Sequence, residues 1–342
     1  MIDIMFSIPV HEKWECVLDQ IINILHFNPN SAIVLHISQM FDNKENKLSK
    51  NEFENALRKI GRLVSGEGWE YANTVVEGGV VYINPVSVRT RNYDIIQAHL
   101  YNYLAVRNVN FEYFVMCASN ELFIKSGLYE KISGYDCVFD VHNDIELNSK
   151  WVAGRFAKND EALKNILSEL NATKIMGSQI EGTCYKKELF GTMTDLILKH
   201  YDYLKMQEVY AREEVYFSTI AYALAQQEGL NVYDSGMFTW VPWDRLYNMC
   251  MARTFDIKRL IKKNGKYFAI KRVARNINDC VRAYVRQTAG YEDVENNVLK
   301  EKIIRHYPLI IIYLREPIKE IKAYNRNFKK LINRYVKDRK RK

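Results

Sequence analysis

Two adjacent carboxylates, Glu213 and Glu214, open an apolar helical pattern in Arg212-Glu213-Glu214-Val215-Tyr216-Phe217-Ser218-Thr219-Ile220. A helix N-terminus favours negative charge, which is a sufficient structural reason for one of them. Neighbours at i and i+1 point in different directions, so one can face a cleft while the other faces water. A carboxylate held beside an acceptor hydroxyl is the general base that a single-displacement transfer needs. The segment Met176-Gly177-Ser178-Gln179-Ile180-Glu181-Gly182-Thr183 puts Gln179, Glu181 and Thr183 at alternate positions. On a strand they share one face, and such a polar row suits sugar hydroxyls. A solvent-facing edge strand has the same pattern.

Candidate cations lie further along. Tyr267-Phe268-Ala269-Ile270-Lys271-Arg272-Val273-Ala274-Arg275 interleaves aromatic and basic side chains. Fixed cations such as Lys271 and Arg272 can neutralise charge building on a diphosphate leaving group. By composition alone the same stretch describes a basic surface helix. Arg245, after Trp240-Val241-Pro242-Trp243-Asp244, is a similar candidate. At the other end of the chain, His11 follows an apolar opening strand. Ligands in open α/β sheets bind beyond the carboxyl ends of strands, where His11 could donate to a diphosphate or a base, or simply cap the next helix. For a divalent cation the nearest cluster is Asp140-Val141-His142-Asn143-Asp144, whose alternate residues could share a strand face. The chain contains no Asp-x-Asp pair.

These residues need elements to hold them. Residues 2–10 are apolar and isoleucine-rich, as in a buried strand. Trp14, Val17, Leu18, Ile21, Ile22 and Leu25 recur at helical spacing, and 32–37 is a second apolar run. Strand, helix, strand in this order predicts a parallel βαβ unit with a right-handed crossover. Further strands are expected at 80–83, 113–118, 174–180 and 231–240. Helices are expected at 44–61, 92–106, 161–170, 187–200 and 212–225, and over most of the chain after 256. The fold class is therefore α/β: a Rossmann-type mixed sheet flanked by helices over 1–290, with a helical extension over 291–342.

The 342 residues are 48% apolar and 26% charged, an ordinary globular balance. The net charge is +8, yet residues 318–342 alone carry about +9. A near-neutral body with a basic tail argues against a nucleic-acid binder. Ile318, Ile321, Tyr324, Phe328, Leu331 and Tyr335 make that tail an amphipathic basic helix. Peripheral contact with a membrane surface is expected through 318–342, the alternative being a helix packed on the domain with a solvated basic face. Six cysteines form no CxxC pair and read as buried free thiols. No basic, cleavable leader opens the chain, and no apolar run reaches the length of a bilayer span. The expected location is the cytoplasm, at most peripheral to the inner face of the membrane.

The ordered segments resemble the core-2/I-branching β-1,6-N-acetylglucosaminyltransferase family, which includes peptide xylosyltransferases and bacterial members. The resemblance runs from about Ile4 to about Tyr284, with gaps. It is carried by Phe6-Ser7-Ile8-Pro9-Val10-His11 with Val34-Leu35-His36-Ile37, by 113–125, by Gly177-Ser178-Gln179, by 213–220 and by Phe268-Ala269-Ile270-Lys271-Arg272. The resemblance implies a GT-A-like fold and an inverting transfer that needs no metal or other cofactor. It makes Glu214 the catalytic base and Lys271 a donor-diphosphate contact. Around that pair, His11, Arg272 and Arg245 are expected on the donor side, with Gln179 and Glu181 on the acceptor side. The implied substrates are a UDP-sugar, such as UDP-GlcNAc, and a glycan or lipid-linked oligosaccharide acceptor. Ser38 stands where the family has the Asp of His-x-Asp, and Glu121 stands for the Asp of Ser-x-x-Asp. Two alternatives remain: a metal-dependent transferase using Asp140, His142 and Asp144, and a non-catalytic glycan-binding or scaffold protein.

Overall fold

Strand β1 (Ile2–Val10) is buried on both faces, and this decides the architecture. Ile4, Phe6 and Ile8 enter one apolar cluster while Met5, on the opposite face, enters another. A strand covered on both sides calls for helices above and below the sheet. The computed structural model describes residues 1–11, 13–39, 52, 63–64, 80–90, 95–145, 152–202, 210–243, 250–263 and 265–290. The expected helices at 44–61 (Glu52 apart) and 291–342, Arg245 and the basic segment 318–342 lie outside them.

Helix α1 (Trp14–Phe27) carries the chain from β1 to the parallel strand β2 (Ser31–Ile37), in register from Ile4↔Ser31 to Val10↔Ile37. Strands β3 (Leu63–Val64) and β4 (Val80–Ile83) extend this parallel half. Helix α2 (Ile95–Val106) returns the chain to β5 (Phe111–Met116), parallel to β1 on its other side. Two short elements follow, β6 (Glu121–Phe123) and α3 (Leu128–Ile132), and then β7 (Cys137–Val138). Helices α4 (Val152–Ala157) and α5 (Glu161–Glu169) precede β8 (Thr183–Lys186), which runs antiparallel to β5 and β7. Helix α6 (Lys187–Lys199), a 3-10 turn (Arg212–Glu214), α7 (Tyr216–Glu228) and β9 (Val232–Tyr233) complete an eight-stranded mixed sheet, ordered β3-β4-β2-β1-β5-β8-β7-β9. A second sheet of three strands joins β10 (Thr239–Trp240), β11 (Ala269–Lys271) and β6. Helix α8 (Thr254–Lys262) lies between β10 and β11 in the chain, and α9 (Cys280–Ala289) follows them.

The mixed α/β sheet, the opening βαβ unit and the helices flanking it agree with the sequence pattern. Three expectations fail. Residues 174–180 form no strand beyond an isolated bridge, Asp144↔Met176, because their backbone groups are committed elsewhere. Residues 231–240 are two strands in different sheets, parted by a turn in which Gly236 takes φ +74°. The stretch 267–275 contains a strand, β11, not a surface helix. Five of the six cysteines are buried and all six are free thiols.

Helix α9 is bound to α1 by a buried charge cluster. Asp19 on α1 accepts from Arg282 at 2.6 Å and from Arg286 at 2.9 Å. Arg282 also donates to the Ala274 carbonyl at 3.0 Å. Both guanidinium groups are almost wholly inaccessible to solvent, so Asp19 is what makes their burial tolerable.

Candidate active site

Four chain segments meet at one cluster of charge. Segment 176–178 is stapled to the start of α7. The Met176 amide donates to Thr219 Oγ1 at 3.0 Å, and the Ser218 and Thr219 hydroxyls donate back to the Met176 carbonyl. The Ser178 amide donates to the Glu214 carbonyl at 2.8 Å. These bonds replace a strand ladder, and they set Gln179 beside Glu214. Three residues on, Gly182 takes φ +82°, and a Cβ there would collide with the backbone nitrogen of Thr239. This is a close approach that only glycine permits. It presses the loop against β10 and brings Glu181 to Lys271 on the neighbouring strand.

The 3-10 turn is fixed from behind. Asp160 caps α5 through the Leu163 amide at 3.2 Å. Its carboxylate also accepts from Tyr210 Oη at 3.0 Å, Arg212 Nε at 3.2 Å and Tyr216 Oη at 2.7 Å. Arg212 and Tyr216 bracket Glu213 and Glu214, so a buried anion holds both sides of the acidic pair.

Lys271 Nζ lies 2.5 Å from Glu181 Oε1, and Gln179 Nε2 lies 3.3 Å from Glu214 Oε1. Glu121, the cross-strand partner of Lys271, accepts from the Thr239 hydroxyl and from the Ala118 amide. Burial pushes the Glu214 carboxyl up to about 7; Glu181 raises it further and Lys271 opposes. Glu121 is likewise pushed up to about 7 by burial, against its hydrogen bond from Thr239. Glu213 is held well above the usual carboxylate range by burial and by Glu214. The expectation that one acid of the pair faces water is corrected: Glu213 is buried and Glu214 is the partly open one. Gln179 Oε1 and Glu213 Oε2 are buried with no hydrogen-bond partner among the described residues. A carboxylate poised near neutrality, with unsatisfied acceptors beside it, can take a proton from an incoming hydroxyl.

His11 stands just beyond β1, with Nε2 3.4 Å from the Thr90 hydroxyl. Burial, helped by Arg275, holds its imidazole down to about 4. It is therefore neutral at pH 7 and offers hydrogen bonds rather than charge. Arg272 follows Lys271 with φ +66°, an uncommon conformation for a residue bearing a side chain, and lies within electrostatic reach of Glu181 and Arg275. The Arg275 charge thus acts on both His11 and Arg272, and Glu181 acts on Arg272. Ser38 hydrogen-bonds the Thr90 backbone, and His36 Nε2 accepts from the Val88 amide at 3.1 Å.

Asp140, His142 and Asp144 lie in a turn and a bridge rather than along a strand face. Asp140 Oδ1 accepts from the His142 amide at 3.1 Å, and Asp144 pairs with Lys174 at 3.4 Å. Among the described residues, no three His, Cys, Asp or Glu side chains are grouped so as to hold a metal ion.

The structure thus brings together Gln179, Glu181, Glu214 and Lys271, places Arg272 and His11 toward one side, and leaves Arg245 outside the described residues. It adds Thr239, and it sets Glu121, matched in the sequence to the Asp of Ser-x-x-Asp, and Arg275, from the basic stretch, near the same charges. Glu121 joins through pairing of strands two or three residues long, too short to show a period in the sequence. The chain matches no protein-family model and no curated protein.

Proposed function

We propose that this protein is an inverting glycosyltransferase with a GT-A-like fold that moves a sugar from a UDP-sugar to a hydroxyl of a glycan or lipid-linked oligosaccharide. The observation that carries this is Glu214: a carboxyl pushed up to about 7 by burial, hydrogen-bonded by Gln179, next to the Lys271–Glu181 pair. General bases work best with a pKa near the operating pH. The Glu214 carboxylate takes the proton of the acceptor hydroxyl as its oxygen bonds to the anomeric carbon. The bond from that carbon to the diphosphate oxygen breaks on the opposite face, and UDP leaves with the bonding electrons. Lys271, with Arg272, offsets the charge that builds on the diphosphate, in the place a metal ion holds in other transferases. One well-placed donor at a developing charge contributes roughly 3–4 kcal/mol. Gln179 and Glu181 orient the acceptor, and His11 meets the nucleotide beyond β1. Assembly of a bacterial surface polysaccharide at the inner face of the membrane is the setting this chemistry and the basic tail suit best.

Glu214→Gln keeps the shape and removes the base. UDP release with a responsive donor and acceptor should fall by roughly 10²–10⁴-fold, while the thermal midpoint stays at or above that of the parent. Transfer at the parental rate by the folded variant rejects the assignment.

A further inference from the structure

A second feature lies apart from the acid cluster. Seven large apolar side chains are strongly exposed among the described residues, and four of them fall between positions 243 and 261. Trp243 is 49% exposed, Met251 39% and Phe255 62%. A 2.8 Å bond from the Cys250 amide to the Pro242 carbonyl brings the Trp243 end of the chain beside the approach to α8. Along α8, Phe255, Arg259 and Lys262 follow at helical spacing on the outer face, while Ile257 and Leu260 turn into the core. Asp256 is the sole acid among residues 250–263, and it is buried against Arg253 at 2.9 Å. Arg259, Lys262 and Lys263 therefore follow Phe255 along the exposed side of α8, and residues 250–263 carry no exposed acid. Behind them lies a half-open cavity of about 360 Å³ lined by Trp240, Arg259, Leu260, Lys263, Lys266 and Tyr267.

Single exposed apolar residues need no explanation, but a cluster rimmed by one sign of charge does. A soluble anion would call for the cations and the cavity and give no use to an exposed tryptophan, methionine and phenylalanine. An anionic bilayer uses both: the apolar tip enters the headgroup–acyl boundary, and the cations meet lipid phosphates. We infer that the face built from Trp243, Met251, Phe255 and the outer side of α8 docks on an anionic lipid surface, with the cavity beside Trp240 and Tyr267 receiving a headgroup phosphate. None of these residues belongs to the basic segment 318–342, and the partition of this face does not depend on the transferase chemistry.

The test is sedimentation of the full-length protein with phosphatidylcholine vesicles, with and without phosphatidylglycerol, and no sugar donor present. The parent should partition onto the anionic vesicles only. Arg259→Gln with Lys263→Gln should weaken partition about thirtyfold, at about 1 kcal/mol for each cation near the surface. Met251→Ser with Phe255→Ser should weaken it at least about tenfold. Both variants should keep the parental thermal midpoint, because the altered side chains are exposed. Equal sedimentation of parent and both variants overturns the inference and places any membrane affinity elsewhere in the chain. If Met251→Ser with Phe255→Ser binds like the parent while glycerol 3-phosphate displaces both from vesicles, the face is a soluble-anion site and lipid docking is overturned.

Discussion

Lys271 is already paired at 2.5 Å, so in the transfer proposed above Glu181 and the donor diphosphate would share one ammonium. The same pair tunes Glu214. Glu181 pushes its carboxyl up and Lys271 pulls it down, on top of the larger effect of burial. Glu181→Gln removes the neighbouring anion and leaves Lys271 less compensated. Both changes favour the ionised form of Glu214. The base form of the parent accumulates as pH rises through about 7, so kcat/KM should climb and bend there. In Glu181→Gln the bend should move to lower pH, and in Lys271→Met to higher pH. A pH profile of UDP release from pH 5 to pH 9 checks both, and an unmoved bend separates Glu181 and Lys271 from the base.

The elements that aim these residues are short, and their anchors lie far away in sequence. Asp160 is the clearest case: it caps α5 and also holds Arg212 and Tyr216 at either end of the acidic turn. Asp160→Ala removes a buried carboxylate that accepts from the Arg212 guanidinium and from two tyrosine hydroxyls, a change that costs about 3–5 kcal/mol. The urea midpoint should drop accordingly, and activity should fall even well below the new melting temperature, since the turn that carries Glu214 loses its backing. The larger elements were legible in the sequence. The repeat of Trp14, Val17, Leu18 and Ile21 gives α1, and runs buried on both faces give β1 and β2. The alternation of 176–183 misleads because hydroxyls of α7 and a single bridge to residues 143–145, not a continued strand, satisfy the backbone around Met176. Strands β10 and β11 show no period of two because they are two and three residues long. The acidic pair stood out in the sequence, but the burial of Glu213 did not. It depends on where the 3-10 turn is held, and that is set by a residue more than fifty positions upstream.

Over the whole molecule, the buried charges of the described residues include three groups: the acids around Lys271, the Asp160–Arg212 pair, and the arginines around Asp19. The third group joins the last described helix to the first. Asp19→Asn should destabilise the fold by about 3–5 kcal/mol, read as a lower denaturant midpoint with an unchanged slope. A midpoint within experimental error of the parent would show α9 held by apolar packing alone. The three-stranded sheet draws on segments near 121, 239 and 270, and its middle strand carries Lys271. Such a sheet cannot form locally, because each of its pairings closes a loop of many residues and gains nothing until the loop is closed. The ammonium therefore reaches the acids only through pairings between distant parts of the chain. During synthesis, the strand that carries Lys271 can pair only after the chain has emerged past residue 271, long after the acids at 121, 181, 213 and 214 have left the ribosome.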